Sequence, residues 1–171
     1  MTRSDRKETE DMIRKFQETD IDAVMRIWLE SNTEAHDFIP SAYWEEHFAQ
    51  VGEMLPRAEV YVLEEQKFTE ILGFIGLNGD HIEGIFVRRE ARSQGTGKQL
   101  LDFVKKIRSG LTLHVYQKNR RAVRFYRRED FTIQKEDIDP ETGEAEYIME
   151  WKKTSGAQGM PDSRAQEEPK V

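Results

Sequence analysis

The sequence of 171 residues contains no cysteine. Disulfide bonds and thiolate-ligated metal sites are therefore excluded. No apolar run approaches the roughly 20 residues that a membrane-spanning helix needs. The stretch 1–10 is charged throughout and lacks the apolar segment of a signal peptide. These absences lead us to expect a cytoplasmic protein with no membrane partner.

The chain also lacks an excess of positive charge. Its formal net charge is -7 and its pI is near 5.3, which argues against general affinity for nucleic acid. One basic run, at positions 120, 121, 124, 127 and 128, leaves a DNA- or RNA-binding helix open as an alternative. Because Glu129 and Asp130 follow it directly, we interpret most of this run as a solvated helix face.

The length suits one domain. Residues 1–10 are polar and are predicted to be flexible. Residues 154–171 are rich in Ser, Gly, Gln, Pro and charge, with almost nothing to bury, and are predicted to be disordered. The folded domain is therefore expected over 11–153.

Hydrophobic periodicity predicts the element order β-α-α-β-β-β-α-β-α-β-β. The strands are expected at 12–16, 59–65, 70–77, 80–87, 111–115, 131–138 and 144–151. Thr19 with Asp22 resembles a capping box, Ser41 is a possible cap for the second helix, and Asn78-Gly79 is a strong two-residue hairpin signal. We predict an α/β domain with a mixed, mostly antiparallel sheet of about seven strands flanked by about four helices.

The most informative motif is Arg92-Ser93-Gln94-Gly95-Thr96-Gly97, between the strand 82–87 and an amphipathic helix. Such a loop directs backbone N–H groups and the positive end of a helix dipole at one point, which suits an anionic phosphate. It is not a Walker loop, because the first glycine and the metal-binding hydroxyl are missing. It is not a dinucleotide fingerprint either, because Leu100 replaces the third glycine. A glycine-rich turn that only caps the helix is the alternative.

The pattern Arg-x-x-Gly-x-Gly resembles the coenzyme A pyrophosphate loop of the GNAT superfamily of N-acetyltransferases. The predicted element order over 11–153 is also that of the GNAT fold. The resemblance implies that the backbone amides of the loop hold the pyrophosphate, through Ser93, Gln94, Gly95, Thr96, Gly97 and Lys98. The side chains of Arg92 and Lys98 would add positive charge.

The same resemblance implies that strand 82–87 splays away from the parallel strand 111–115. The freed amides at Ile85, Phe86 and Val87 would then pair with the pantetheine arm and the acetyl carbonyl. Gly84 fits this picture, because a glycine within a strand often marks a bulge or a close backbone approach. An ordinary sheet glycine is the alternative.

The segment from Asn119 to Tyr126 resembles the family pattern Asn-x-x-Ala-x-x-Phe-Tyr. The resemblance implies that Asn119 contacts the pantetheine or caps the helix, and that the Tyr126 hydroxyl lies near the cofactor sulfur. A phenol with a reference pKa of about 10 is protonated at pH 7, so Tyr126 is the candidate general acid. A purely structural tyrosine is the alternative. Asp130 stands near a position where the family often has glycine, and Asp tolerates the left-handed conformation.

The base that deprotonates the amine is less well marked. Glu83 lies on the strand that lines the site and is our candidate, acting through water, with Glu30, His36 and His81 as further possibilities. The connection 31–40 borders the acceptor pocket in this fold, so Trp28, His36 and Phe38 are candidates to bind the substrate. Segments 28–31, 35–39, 43–44 and 115–119 resemble a bacterial subgroup that includes protein-lysine and small-amine acetyltransferases.

The expected function is acetyl-CoA-dependent N-acetylation of a primary amine on a small molecule or a protein lysine. Without cysteine to carry an acyl group, the amine is expected to attack directly in a ternary complex. No metal is expected. The alternative is a non-catalytic acyl-CoA-binding regulatory module. No nucleic-acid partner is expected, and the protein is expected to be a monomer or a homodimer.

Overall fold

The computed structural model describes residues 11–154, and the domain predicted over 11–153 lies within this range. The flexible segment predicted at 1–10 lies outside the described residues, and so does all of the predicted tail 154–171 except Thr154.

The predicted number and order of elements are confirmed. The strands are β1 Asp11–Lys15, β2 Glu59–Glu65, β3 Glu70–Asn78, β4 His81–Val87, β5 Gly110–Tyr116, β6 Thr132–Ile138 and β7 Ala145–Lys152. The α-helices are α1 Ile21–Ala35, α2 Ser41–Met54, α3 Thr96–Ile107 and α4 Arg120–Arg128.

The strands form one seven-stranded sheet in the order β1-β2-β3-β4-β5-β7-β6. Every neighbouring pair is antiparallel except β4 and β5, so the predicted mixed, mostly antiparallel sheet is confirmed. This parallel pair lies near the middle of the sheet, and the candidate active site lies beside it.

The sheet is buried on both faces in its centre. Along β2, Tyr61 and Leu63 belong to one buried cluster, whereas Val60 and Val62 belong to another. This alternation follows from the two-residue period of a strand. The first cluster includes residues of α3 and α4, and the second includes residues of α1 and α2, so each face of the sheet carries one helix pair.

Three predicted local details are wrong. A short 3₁₀ turn at Glu18–Asp20 precedes α1. The capping box is therefore formed by Gln17 and Asp20, two residues before the predicted pair Thr19 and Asp22. The Asp20 carboxylate also accepts two hydrogen bonds from the Arg14 guanidinium. Ser41 is the first helical residue of α2, with Pro40 at the N-cap position and no side-chain cap.

The third concerns the β3–β4 hairpin. Asn78 pairs with His81, so the turn residues are Gly79-Asp80 and not Asn78-Gly79. Gly79 has φ +62° and supplies the left-handed conformation that the tight turn requires. By contrast, the expectation that Asp130 adopts a left-handed conformation is confirmed, with φ +72°.

Candidate active site

The site begins where the parallel strands β4 and β5 separate. Only two residue pairs join them, His81 with Thr112 and Ile82 with Leu113. Glu83 is the extra residue of a β-bulge against β3, because Ile82 pairs with Leu77 and Gly84 with Gly76. Beyond Ile82, β4 has no ladder partner on its β5 side within the described residues. The splay expected from the resemblance is therefore present, and it places Ile85, Phe86 and Val87 along its edge.

Gly84 lies at a close approach, one of the two roles considered for it. A Cβ there would lie 2.4 Å from Cζ of Phe86, whose ring folds back over the strand and stacks on Phe74 at a centroid distance of 4.9 Å. A Cβ at Gly73, on the adjacent strand, would lie 2.7 Å from the Phe86 carbonyl oxygen. A side chain at Gly84 would therefore displace the Phe86 ring, and one at Gly73 would collide with the backbone of β4.

The predicted phosphate loop follows β4 and contains left-handed residues. Ser93 has φ +63° and Gly95 has φ +86°. A left-handed conformation at a residue other than glycine costs roughly 1–2 kcal/mol, and such positions cluster at functional sites. Left-handed residues beside ordinary ones turn successive N–H groups toward one point, forming a concavity that suits an anion. Gly95 also occupies the N-cap position of α3, so the helix dipole adds to it.

The helix start packs closely on the splayed strand. A Cβ at Gly97 would lie 3.6 Å from Phe125 of α4, 3.8 Å from Val87 and 3.9 Å from Ile85. Thr96 is buried as the first residue of α3. Gln94 donates from Nε2 to the Glu90 carbonyl at 3.2 Å. The loop, the end of β4 and α4 thus meet at the start of α3.

The two predicted cations are engaged with carboxylates. Arg92 lies 2.7 Å from an oxygen of Glu34 in α1, and Arg89 pairs with the same carboxylate. Lys98 Nζ lies 3.1 Å from Glu129 and 3.3 Å from Asp102. Their positive charge at the loop is therefore partly offset by the protein itself.

A further cation, from α4, contacts the loop. The Arg121 guanidinium donates to Oγ of Ser93 at 3.4 Å, from the first turn of α4. The arginines at 120–128 predict that α4 is basic. Which of these arginines faces the loop depends on how α4 packs on α3 and β4. That packing is not encoded in local spacing.

Asn119 caps α4, the role that was weighed beside a cofactor contact. Its Oδ1 accepts from the Ala122 N–H at 3.3 Å. Its Nδ2 lies 3.2 Å from Nε2 of His36, which belongs to the connection after α1.

Tyr126 lies on α4 and is only 7% exposed. Its ring packs against Phe125 and Phe131, at centroid distances of 5.2 Å and 5.4 Å. Within the described residues its hydroxyl makes no hydrogen bond. Burial raises the pKa of Tyr126 well above its usual range, because the phenolate would be poorly solvated. The phenol therefore keeps its proton throughout the neutral range.

Titratable groups surround the point where the strands separate. His81 Nδ1 lies 2.9 Å from Oγ1 of Thr112, and its Nε2 lies 3.3 Å from Nδ1 of His114. Burial lowers the pKa of His81, while the nearby charge of Glu83 opposes this shift. At neutral pH His81 is therefore an uncharged imidazole that can accept a proton. The sequence analysis named Glu83 and His81 but missed His114.

Two of the predicted acceptor-binding residues, His36 and Phe38, pack with Trp44 and Tyr116, and we call these four residues the aromatic wall. The His36 ring stacks on Trp44 at 5.2 Å and meets Tyr116 edge-on at 5.1 Å and Phe38 at 5.6 Å. Trp28 packs on Trp44 at 5.9 Å and so supports this wall. Trp28, Trp44 and Tyr116 are all buried and offer a ligand little surface. The accessible part of the wall comes from the half-buried side chains of His36 and Phe38.

The β6–β7 turn brings carboxylates beside this wall. Tyr116 donates to Asp139 at 2.5 Å, and Tyr43 donates to Glu141 at 2.6 Å. Glu144 lies 3.0 Å from Lys118 Nζ. We call Asp139, Glu141 and Glu144 the acidic rim. The sequence analysis did not assign Tyr43, Tyr116 or the rim to the site, although the acidic residues of 136–146 were visible.

The described residues hold no cluster of three or more His, Asp or Glu side chains arranged to bind a metal ion. In the same part of the chain, no helix combines the length and the apolar character needed to cross a membrane.

Comparison with known proteins identifies the family of the chain. A family model for the acetyltransferase (GNAT) domain matches residues 56–133. The peptidyl-lysine N-acetyltransferase YiaC of Escherichia coli K12 is 35% identical over 142 residues, spanning 82% of this chain and 96% of YiaC. The chain belongs to the GNAT family. YjaB of Salmonella typhimurium, also a peptidyl-lysine N-acetyltransferase, is 32% identical over 121 residues, spanning 71% of this chain and 83% of YjaB.

Solved structures share the fold of this GNAT protein. The solution structure of apo YjaB from Escherichia coli has a TM-score of 0.75 at 24% identity, covering 84% of this chain and 99% of YjaB. The PaiA N-acetyltransferase of Thermoplasma acidophilum, in complex with coenzyme A, has a TM-score of 0.69 at 20% identity, covering 83% of this chain and 98% of PaiA. The protein is an N-acetyltransferase of the family that uses acetyl-CoA.

Proposed function

We propose that this enzyme acetylates the ε-amine of lysine in polypeptides, by direct attack of the amine in a ternary complex. The observation that carries the acceptor is the acidic rim beside the aromatic wall. Asp139 and Glu141 are held there by Tyr116 and Tyr43. Carboxylates attract a cationic lysine and basic neighbours, while the half-buried rings of His36 and Phe38 accommodate its apolar stem. Relatives named peptidyl-lysine N-acetyltransferases support the same acceptor.

The cofactor is held by two parts of the chain. Backbone N–H groups of residues 93–98 bind the pyrophosphate, aided by the dipole of α3. Amides of Ile85, Phe86 and Val87, freed by the splay, bind the pantetheine arm and the acetyl carbonyl. The left-handed conformations of Ser93 and Gly95 support this assignment, because left-handed residues beside right-handed ones favour a concave arrangement of N–H donors.

Bound acetyl-CoA supplies an acetyl thioester. When the acetyl group passes to an uncharged amine, the sulfur leaves as a thiolate that needs a proton, and the nitrogen must lose one proton. Tyr126 donates the first proton, as a phenol that burial keeps protonated. Glu83 accepts the second, through water, at the bulge where the strands separate. His81 and its partner His114 extend the route for that proton. The chain has no cysteine to carry an acyl group, which supports direct attack.

The cellular setting completes the proposal. We place the enzyme in the cytoplasm, as a monomer or homodimer without nucleic-acid or membrane partners. The net charge of -7 supports a cationic acceptor and disfavours nucleic acid.

A lysine peptide should be acetylated in the presence of acetyl-CoA, with release of one thiol per acetyl group gained. The acceptor peptide carries basic residues beside a single lysine and has a blocked N-terminus. The matched control peptide has acidic residues in place of the basic ones and should have a KM at least about tenfold higher, because the acidic rim repels it. The measurement is thiol release together with the mass of the peptide. Acetylation of free small amines but of no lysine peptide would contradict the proposed acceptor.

Arg121 gives a second test, directed at the cofactor. Its guanidinium already contacts Ser93 in the loop, so we propose that it binds a phosphate group of the cofactor. Arg121→Gln should weaken coenzyme A binding by about 5–10-fold, as expected for loss of one solvent-screened contact to a charged group. Arg124→Gln makes the same charge change on the same helix, at an exposed position, and should bind normally. Titration calorimetry of both variants makes the comparison, and equal affinities would remove Arg121 from the site.

A further inference from the structure

The connection between α1 and α2 contacts a residue that begins α4. His36 follows directly on Ala35, the last residue of α1, and its backbone N–H donates to the Asn32 carbonyl at 3.0 Å. Its side chain reaches Asn119, 83 positions further along the chain. This is a direct link between the aromatic wall and the helix that carries Tyr126.

The direction of this hydrogen bond follows from the other bonds of Asn119. Its Oδ1 already accepts from the Ala122 N–H at the start of α4. The group facing His36 is therefore the amide Nδ2, which can only donate. With Asn119 as donor, His36 Nε2 accepts, which places the imidazole proton on Nδ1. Nδ1 is buried and has no hydrogen-bond partner among the described residues.

The surroundings of His36 maintain this acceptor. The ring is stacked on Trp44 and packed edge-on against Tyr116. Burial lowers the pKa of His36 to about 4, although the Asn32 carbonyl and the charge of Asp37 oppose the shift. The ring is thus neutral at pH 7 and keeps the lone pair on Nε2. Since Asn119 occupies that lone pair, His36 is not free to serve as the base for an incoming amine.

The same end of α1 contacts other parts of the cofactor site. Ser31 Oγ donates to the Val87 carbonyl at 3.3 Å, at the end of the splayed strand. Glu34 pairs with Arg92 and Arg89 beside the loop. Of these contacts, the one from His36 reaches the helix that bears the candidate acid.

We propose that His36 is a positioning residue, which fixes the orientation of Asn119 and thereby the start of α4 and the placement of Tyr126. Asn119 and Tyr126 are seven residues apart, about two helical turns, so they project from nearly the same side of α4. If the cap of Asn119 loosens, the first turn of α4 frays, and because this helix has only nine residues the angle at which it presents Tyr126 changes. The inference rests on the proposed role of Tyr126 in the reaction.

The test compares variants that keep or remove the acceptor on this side chain. His36→Phe keeps an aromatic ring but has no acceptor, whereas His36→Gln carries an amide oxygen at about the position of Nε2. We expect His36→Phe to lower kcat about tenfold with the KM for a lysine peptide changed less than about twofold, because a positioning defect acts on the reacting geometry and not on acceptor binding. His36→Gln should recover most of the kcat.

A double-mutant cycle identifies the partner. Asn119→Ala should lower kcat by a similar factor, and His36→Phe should have little further effect in that background. Independent, additive losses would overturn the proposal, as would a higher KM with unchanged kcat in His36→Phe. The latter would show that His36 contacts the acceptor and does not position Asn119.

A spectroscopic readout is independent of turnover. In ¹⁵N-labelled wild-type protein at pH 7, the His36 imidazole should be protonated on Nδ1, with an accepting Nε2. Asn119→Ala should change the Nε2 resonance, because it loses its donor. A ring protonated on Nε2 in the wild type would overturn the proposal even if the enzyme is fully active. If the wild type failed to acetylate any lysine peptide, the proposed function would be wrong. The tautomer of His36 would still be decided by the ¹⁵N measurement alone.

Discussion

Tyr126→Phe is expected to lower kcat for acetyl transfer by about 10²–10⁴-fold, the range typical for loss of a general acid. Coenzyme A affinity should change less than about twofold, because the substitution removes only the hydroxyl and keeps the ring that packs on Phe125 and Phe131. Stability should be retained, since within the described residues this hydroxyl makes no hydrogen bond. The measurements are steady-state thiol release, calorimetric titration with coenzyme A and thermal unfolding.

Tyr61→Phe provides the matched control. Tyr61 is another buried tyrosine in the same hydrophobic cluster, but its hydroxyl donates to Glu59 at 2.6 Å. Its loss should reduce the free energy of unfolding by about 1 kcal/mol and leave kcat unchanged. A Tyr126→Phe enzyme with full kcat would show that Tyr126 is a structural tyrosine and that the proton comes from elsewhere.

The pH profile bears on the same assignment. Burial raises the pKa of Tyr126, so the phenol keeps its proton at every pH used for an assay near neutrality. Ionisation of Tyr126 therefore does not explain any decline in kcat between pH 7 and 9. If the wild-type kcat fell between pH 7 and 9 and the kcat of Tyr126→Phe did not, Tyr126 would be ionising in that range. This result would contradict a phenol that stays protonated.

The fold was largely predictable because its signals are local. The apolar residues of β2 and β3, the glycines of the loop and the left-handed Asp130 are each features of a few adjacent residues. The position of the β3–β4 turn was wrong by only one residue. Gly79 supplies the positive φ in either position, and the pairing of Asn78 with His81 leaves Gly79 and Asp80 as the turn residues.

The candidate site was predictable only in its backbone parts. The loop is marked by its glycines, and the splay of β4 is what the family resemblance implies; both lie at the expected positions in the chain. The side-chain contacts are long-range: Asn119 with His36, Tyr43 with Glu141, and Arg121 with Ser93. Such pairs depend on how whole elements pack, which no local pattern specifies. For the same reason the pairing of Arg92 with Glu34 was missed, although the charge of Arg92 was noted.

Gly95→Glu should weaken coenzyme A binding by about 100-fold or more, which corresponds to about 2.7 kcal/mol. Two effects act together at this position. The residue has φ +86°, where a side chain other than glycine introduces strain of roughly 1–2 kcal/mol. The added carboxylate also lies at the N-terminus of α3, where it is attracted to the same N–H groups that are proposed to hold the pyrophosphate. It therefore repels and competes with the ligand. Calorimetric titration measures the loss.

Gly79→Glu separates these effects from general damage. Gly79 has φ +62° and, like Gly95, has no heavy atom within 4 Å of the position where a Cβ would be added. Both variants thus add the same charge and a similar strain, but Gly79 lies in the β3–β4 turn. Gly79→Glu should lower the Tm by a similar amount and bind coenzyme A normally.

Gly95→Ala isolates the strain at the loop from the charge, because it adds only a methyl group at the same φ. An intermediate affinity for Gly95→Ala would assign the rest of the loss in Gly95→Glu to competition for the N–H groups. Equal affinity in Gly95→Glu, Gly79→Glu and the wild type would mean that residues 92–97 are only a helix-capping turn. The cofactor would then have to be held by the splayed strand alone, which offers amides for the pantetheine arm but no helix dipole for a phosphate.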